Sequence, residues 1–325
     1  MRTWFSLLLI IFLTACIGDK PSGKMTIAVI PKGTTHEFWK SIHAGAVKAS
    51  RELNIEIIWK GPLKEDDRES QIALVENFIT RNVSGIVLAP LDDTALRVPV
   101  QSAQRSGIPV VIIDSGLKSD TFVSFVATDN YQGGKMAGTD MAKRLNSTGK
   151  VIVLRYQEGS ASTMKREQGF LDAISEHKDI QIVSSNQHGG ATTESAYRAS
   201  ENLLAPLKNA DGSLTIQGIF CPNESTTFGM LRALQDANLA GTVAFIGFDS
   251  SEKLVEGLQN DQIHGLILQN PFHMGYLGVK TMFQHLSGNT VEKRIDTGVA
   301  LVTKANMDQP DIQAVLTPDL DKWLK

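Results

Sequence analysis

Two hydrophobic rhythms alternate along this chain. The first is a series of short apolar runs: "TIAVIP", "IEIIW", "GIVLAP", "PVVIID", "KVIVLR", "IQIVSS", "IQGIFC", "VAFIGFD" and "HGLILQ". They are rich in Ile and Val, as strands covered on both faces are. The second rhythm is helical. In "HEFWKSIHAGAVKASRELN" the residues Phe38, Ile42, Ala46 and Ala49 recur on one helix face, and "RESQIALVENFITRN" is a second such stretch. Strand followed by helix, repeated, predicts the α/β class with a parallel sheet between two helix layers. Roughly five strands lie on each side of "SFVATDN", too many for one sheet of ordinary size. The pattern therefore predicts two similar doubly wound parallel-sheet lobes that join near residues 127–129, with a cleft between them. Thr128 or Asp129 is placed to cap the helix that follows.

The first residues read as a processing segment. Met1-Arg2 is short and basic, and "WFSLLLIIFL" is apolar but short for a membrane span. The segment ends in Leu13-Thr14-Ala15-Cys16, which resembles the bacterial lipobox. That resemblance implies a signal peptide over 1–15, a lipid on Cys16 and a tether over 16–24. A lipidated N-terminus tethers a soluble domain to a membrane without a spanning helix. The expected location is the periplasm or the cell surface, with membrane attachment through the N-terminal lipid. About 310 residues remain from Cys16 onward, which favours two domains. Cys221 is then the only other thiol, so no intrachain disulfide framework exists, and its apolar surroundings read as core. Formal charge is −3 with no basic run, which argues against nucleic acid as a partner. No phosphate-binding glycine loop, nucleophile elbow or metal-ligand spacing is present, so neither an enzyme nor a cofactor or metal site is expected. Tyr131-Gln132-Gly133-Gly134-Lys135 carries glycines after a cap and reads as close helix packing; His177 and His188 have no ligand partners in sequence.

Ligands of open parallel sheets bind beyond the carboxyl ends of the strands. The residues following the apolar runs are Lys32, then His36, Phe38 and Trp39; Asp114 and Ser115; Arg166, after a loop; Asn223; Asp249; and Gln269. Their flat or forked heads make several directed hydrogen bonds each. A polyhydroxylated ring supplies matching donors and acceptors, and its C–H faces suit the rings of Phe38 and Trp39. Each residue also has a plainer reading. Asp114, Asp249 and Asn223 can cap following helices, Arg166 can lie on a helix surface, Phe38 and Trp39 can be core, and Lys32 and His36 can be loop residues.

The blocks "GIPVVIIDSG", "VATDNYQGGKMAG", "GSASTMKREQGF", "CPNESTTFGMLRAL", "VAFIGFDSS" and "GLILQNPFHMG" resemble, in order, those of bacterial periplasmic sugar-binding proteins of the ribose-binding type. The resemblance covers nearly all the chain beyond the leader. It implies a type I periplasmic binding protein with a three-segment hinge, crossing near Ala127–Asp129, Leu268–Pro271 and Asp296–Ala300. The implied first lobe is 25–128 plus 270–296, and the second 129–269 plus 297–325. It implies a monomer that captures a sugar or polyol and delivers it to an ABC-type permease, or a sugar sensor docking on a chemoreceptor or sensor kinase. The implied contacts are His36, Phe38, Trp39, Asp114, Arg166, Asn223, Asp249 and Gln269. The chain departs from the ribose binders at Ser115 (arginine there), at His36 (asparagine there) and at "HGGAT", where an aromatic is expected. Ile30-Pro31-Lys32 and Gly61-Pro62 also resemble receptors for the furanose-type signal autoinducer-2, which use a lysine like Lys32 but lack the Arg166 pattern.

Overall fold

Val110-Val111-Ile112-Ile113 shows how the lobes are built: Val111 and Ile113 enter one apolar cluster, while Val110 and Ile112 enter another on the opposite face. Period-two side chains on a strand buried on both sides produce that split. A computed structural model describes residues 24–325. The signal segment, Cys16 and the tether up to residue 23 lie outside the described residues.

The chain runs β1 (Thr26–Ile30), α1 (Glu37–Leu53), β2 (Glu56–Trp59), α2 (Arg68–Thr80), β3 (Gly85–Leu88), α3 (Arg97–Arg105), β4 (Val110–Ile113) and β5 (Ser124–Ala127). It continues through α4 (Asn130–Arg144), β6 (Thr148–Arg155), α5 (Ala161–Ser175), β7 (Asp179–His188), α6 (Thr193–Leu204), β8 (Gly218–Phe220), α7 (Glu224–Asp236), β9 (Ala244–Phe248), α8 (Glu252–Gln259) and β10 (Gly265–Gln269). It ends with α9 (Pro271–Leu286), β11 (Arg294–Asp296), β12 (Val299–Val302), α10 (Pro310–Leu316) and α11 (Asp321–Leu324).

The strands form two six-stranded sheets, ordered β11-β5-β4-β3-β1-β2 and β12-β10-β9-β8-β6-β7. The two orders are the same path walked twice. The first sheet is parallel throughout. In the second, β12 alone runs antiparallel, against β10. This is the predicted pair of doubly wound lobes.

Three segments pass between the sheets: β5 into α4, β10 into α9, and β11 into β12. Asp129 caps α4 by accepting from Gln132 N–H, and Asn270 caps α9 by accepting from His273 N–H. Thr128 Oγ1 lies 3.2 Å from Thr297 Oγ1 and donates to Gly298 O, while Arg294 donates to Thr128 O, so two crossings are laced together. A fourth passage was not expected. Leu316 packs in the second lobe's core, but α11 packs on α1, with Arg51 donating to the carbonyls of Lys322 and Trp323. The placement of 297–325 wholly in the second lobe is therefore corrected: its end returns to the first, because Trp323 finds Arg51 and Phe272 there.

Glycines set the helix spacing beside the cleft. A Cβ on Gly45 would stand 1.9 Å from Phe272 O and one on Gly275 2.0 Å from Ile42 O, so α1 and α9 touch backbone to backbone. Gly134 and Gly169 do the same for α4 and α5: a Cβ on Gly134 would lie 2.0 Å from Arg166 O. The predicted role of the "YQGGK" glycines is observed, and its consequence is that α5 sits close enough to aim Arg166 inward. Cys221 is fully buried in the second lobe's core, and burial pushes its thiol well above the ordinary range. No helix among the described residues is long and apolar enough to cross a membrane, and they contain no cluster of metal-ligating side chains.

Candidate functional site

The loops at the carboxyl ends of both sheets face one another, and one cavity lies between them. It is lined from the first lobe by Lys32, His36, Phe38, Trp39, Glu65 and Asp114. From the second lobe come Tyr156, Ser162, Thr163, Arg166, Asn223, Glu224, Asp249 and Gln269. Nine of the ten residues singled out in the sequence therefore share one cavity. Ser115 stands just behind it, fully buried, where its Oγ accepts from Ser162 N–H at 3.1 Å across the cleft. The free space is about 20 Å3, room for a water-sized group. The lobes thus stand closed on one another, and a guest larger than a water molecule enters only as they part.

Lys32 follows β1 through Pro31, whose carbonyl is fixed by Gln71. That buried glutamine donates to Pro31 O and Ala89 O and accepts from Leu91 N–H, tying the loops after β1 and β3 together. Lys32 Nζ stands 2.8 Å from Asp114 Oδ2, 3.1 Å from Ser162 Oγ and 3.4 Å from Ser160 Oγ. It is neither solvated nor a plain loop residue.

His36 occupies the N-cap position of α1 but makes no capping bond; its Nδ1 lies 2.6 Å from Glu65 Oε1. Glu65 also accepts from Trp39 Nε1 at 2.7 Å and, across the cleft, from Tyr156 Oη at 2.8 Å. Burial alone would lower the His36 value, but the Glu65 carboxylate, helped by Glu224 and Asp249, raises it to about 9. Burial likewise works to raise Glu65, and His36, Lys32 and the Trp39 N–H overcome it, holding Glu65 at about 2. At neutral pH this is a charged pair. Phe38 and Trp39 meet edge to face with centroids 5.0 Å apart. Both line the cavity and both belong to the first lobe's core.

Asp114 and Asp249 cap no helix of their own: β5 is the next element after Asp114, and Ser251 is the cap position of α8. Both have left-handed backbones, φ 60° and 68°, a conformation uncommon outside glycine that turns each carboxylate back over its sheet. Asn223 does cap α7, accepting from Thr226 N–H, so the capping reading is right for that residue. Arg166 is 2% exposed rather than on a surface. It donates to Asn130 Oδ1 at 2.7 Å and Pro222 O at 2.9 Å, lies 3.7 Å from Asp249 Oδ2, and stacks over Phe248 at 4.0 Å. Burial lowers its value and raises that of Asp249, with each partner's charge opposing the shift. Gln269 Nε2 donates to Asp249 Oδ1 at 2.6 Å, which leaves its Oε1 buried without a hydrogen-bond partner. Asp114 Oδ2 is also without one: it faces Lys32 Nζ closely but off the hydrogen-bonding direction.

The sequence reading missed Glu65, Tyr156, Ser162 and Glu224. Tyr156 had a usable signal, since it directly follows β6 and the same rule selected the other strand-end residues. Glu65 lies in the charge-rich run "LKEDDRES", where nothing marks one acid over another.

Residues 27–290 match the periplasmic binding protein domain. The ribose import binding protein of Haemophilus influenzae is 29% identical over 294 residues, covering 90% of this chain and 97% of that one. A carbohydrate transporter solute-binding protein of Agrobacterium radiobacter, solved with D-arabinose, superposes with a TM-score of 0.86 at 33% identity, covering 91% of this chain and 99% of that one. An ABC transporter solute-binding protein of Agrobacterium vitis with bound D-fucose gives a TM-score of 0.84 at 37% identity, over 90% of this chain and 99% of that one. The two-lobed fold, the shared cleft and these matches agree: the chain belongs to the periplasmic binding protein family, among sugar-binding proteins of the ABC importer type.

Proposed function

We propose that this protein captures a single-ring sugar or polyol between its lobes and passes it to an ABC-type permease without chemical change. The observation that carries this reading is the makeup of the cavity. Charged and amide heads from both lobes meet in it; of its buried acceptors, Asp114 Oδ2 meets only the Lys32 ammonium and Gln269 Oε1 has no partner at all. Such acceptors are costly unless a donor reaches them, and sugar hydroxyls are donors. Ligand contacts drawn from both lobes favour closure, because only the closed form makes all of them. The proposed ligand-binding set is Lys32, His36, Phe38, Trp39, Asp114, Arg166, Asn223, Asp249 and Gln269, with Ser115 supporting Ser162. The lipid on Cys16 is proposed to keep the receptor at the membrane outside the cytoplasm; the mass of the N-terminal peptide checks it.

A furanose-type signal is the second reading, favoured by Lys32 lining the cavity. Arg166 beneath the same cavity favours the sugar. Titration calorimetry and thermal shift over a carbohydrate panel test the proposal, which fails if no sugar or polyol gives heat or a shift. Asp249→Asn keeps one acceptor oxygen, for either Gln269 Nε2 or Glu224 N–H, and removes the charge. It should weaken sugar binding by about 10- to 100-fold, the worth of one charged hydrogen bond, while the empty protein still unfolds cooperatively.

A further inference from the structure

A second, larger chamber of about 490 Å3 adjoins the sugar cavity. Phe38, Asp249 and Gln269 line both. The chamber is bounded by the first turns of α1, by α8, by the hinge at Leu268–Pro271 and by the returning C-terminal segment 315–320. Its chemistry is unlike that of the sugar cavity. It contains four carboxylates, Glu37, Asp249, Glu252 and Glu256, and no lysine, arginine or histidine. Glu37 and Glu256 are offset only by exposed partners, Lys40 at 3.8 Å and Lys253 at 2.8 Å. Such pairs are screened and weak. Glu252 has no ion pair among the described residues. Two buried polar atoms lack partners on this side, Ser41 Oγ and Gln269 Oε1. The remaining wall is apolar, chiefly Phe38, Val255, Leu268 and Leu316.

Resting on the sugar reading of the neighbouring cavity, we propose that this chamber is a subsite for a short, amine-bearing substituent on the bound sugar. The ammonium donates to Ser41 Oγ and to one lone pair of Gln269 Oε1, the other being left for a sugar hydroxyl, within the field of Glu252 and Glu256, and the carbon stem lies along Phe38, Leu268 and Leu316. The division of charge makes the assignment specific. In the sugar cavity Lys32, His36 and Arg166 already match Asp114, Glu65 and Asp249, whereas no cation in the chamber's own lining offsets its acids, so an added ammonium is favoured here.

The experiment compares aminoethyl, ethyl and carboxymethyl glycosides, in both anomers, of the monosaccharide that binds best, each measured by calorimetry against the free sugar. The expected order is aminoethyl, then ethyl, then carboxymethyl, with about tenfold or more between the first and last at low salt. The gap should narrow as salt rises. In the variant E252Q/E256Q, whose changes lie on an exposed helix face, the gap should fall to about threefold or less. If the free sugar binds but the aminoethyl glycoside is no better than the carboxymethyl one, the subsite assignment is wrong and the sugar reading stands. The assignment is equally wrong if the order appears but the double variant leaves it unmoved, since the chamber's acids are then not its source. If neither free sugars nor any glycoside binds, both readings fall.

Discussion

Glu224 is the most informative single residue to perturb. It opens α7 in the second lobe and reaches across the cleft to the start of α1, accepting from Glu37 N–H at 3.4 Å and Phe38 N–H at 3.2 Å. Those donors have no partner within their own helix, and His36 at the cap position supplies none. The cap of α1 therefore comes from the opposite lobe and is present only when the lobes are closed. Burial raises Glu224 from its ordinary 4.5 to about 7, with His36 and the α1 N–H groups opposing the rise and Asp249 adding to it. A carboxyl whose value is raised by closure takes up protons as the lobes close. Closure is thus unaffected by this group below pH 4.5, is penalised progressively as pH rises from 4.5 to 7, and carries the full penalty above.

At pH 7 the closed form holds about half a proton on Glu224 and the open form almost none. Binding coupled to closure should therefore tighten about tenfold between pH 8 and pH 6, roughly 1.4 kcal/mol. His36 does not confuse the result, because its main partner, Glu65, lies in its own lobe and keeps it charged across that range. Calorimetry of the best sugar ligand in buffers of different protonation enthalpy reads the proton uptake directly. Glu224→Gln keeps a carbonyl acceptor for α1 but cannot titrate, so its affinity should be flat from pH 6 to 8. Wild-type affinity that is flat or strengthens with rising pH, or an equal slope in the variant, refutes the reasoning.

Three further outcomes are expected. Gly134→Ala places a methyl group 2.0 Å from Arg166 O, so α5 must move away; denaturation should show a loss of about 1–3 kcal/mol, and sugar affinity should fall as Arg166 is displaced. The stability difference between wild type and His36→Gln should be on the order of 3 kcal/mol at pH 4.5–6.5. It should shrink as pH rises from 6.5 through 9, where His36 loses its proton, and again below 4.5 as Glu65 is neutralised on the way to 2; thermal melts across pH check both limbs, and a constant difference contradicts the pair. Cys221 is fully buried, so a thiol-specific disulfide reagent should react with it only after unfolding; rapid reaction in the native protein contradicts the core assignment.

What could be read from the sequence follows from how each feature is encoded. β3, β4 and β9 are buried on both faces, so their composition alone marks them as strands. β11 and β12 escaped because they are short, sit at sheet edges and carry a mixed pattern, "RID" and "VALV". They register only as the third crossing. Lys32, Asp114, Asp249 and Gln269 were legible because strand ends in a parallel sheet all point one way. Glu65 was not, because the loop after β2 folds back over the cavity by contacts with Trp39, His36 and Tyr156, all distant in sequence. Glu224 looked like an ordinary first-turn acid of α7, and its use on α1 exists only when two lobes meet. The return of α11 depends on Trp323 finding Arg51 and Phe272, and no local periodicity announces that.

The placement of charges explains how such a polar cleft can open reversibly. Lys32 is paired with Asp114 and His36 with Glu65 within the first lobe, and Arg166 faces Asp249 within the second. The contacts that cross are of another kind: Tyr156 Oη and Gln157 Nε2 onto Glu65, Ser162 N–H onto Ser115, Lys32 onto the serine hydroxyls, and Glu224 onto α1. Separating buried ion pairs costs several kcal/mol for each charge stranded, whereas each crossing hydrogen bond can be exchanged for one to water at a net cost of about 1–3 kcal/mol, the upper end applying to those on Glu65 and Lys32. Parting the lobes therefore strands no charge. On the proposed function, a sugar entering the opened cleft would replace water on the same heads, with its hydroxyls donating to Gln269 Oε1, which the protein leaves without a partner, and to Asp114 beside Lys32. Selectivity would then rest on those acceptors and on the rings of Phe38 and Trp39, while the ion pairs within each lobe hold the surrounding heads in place.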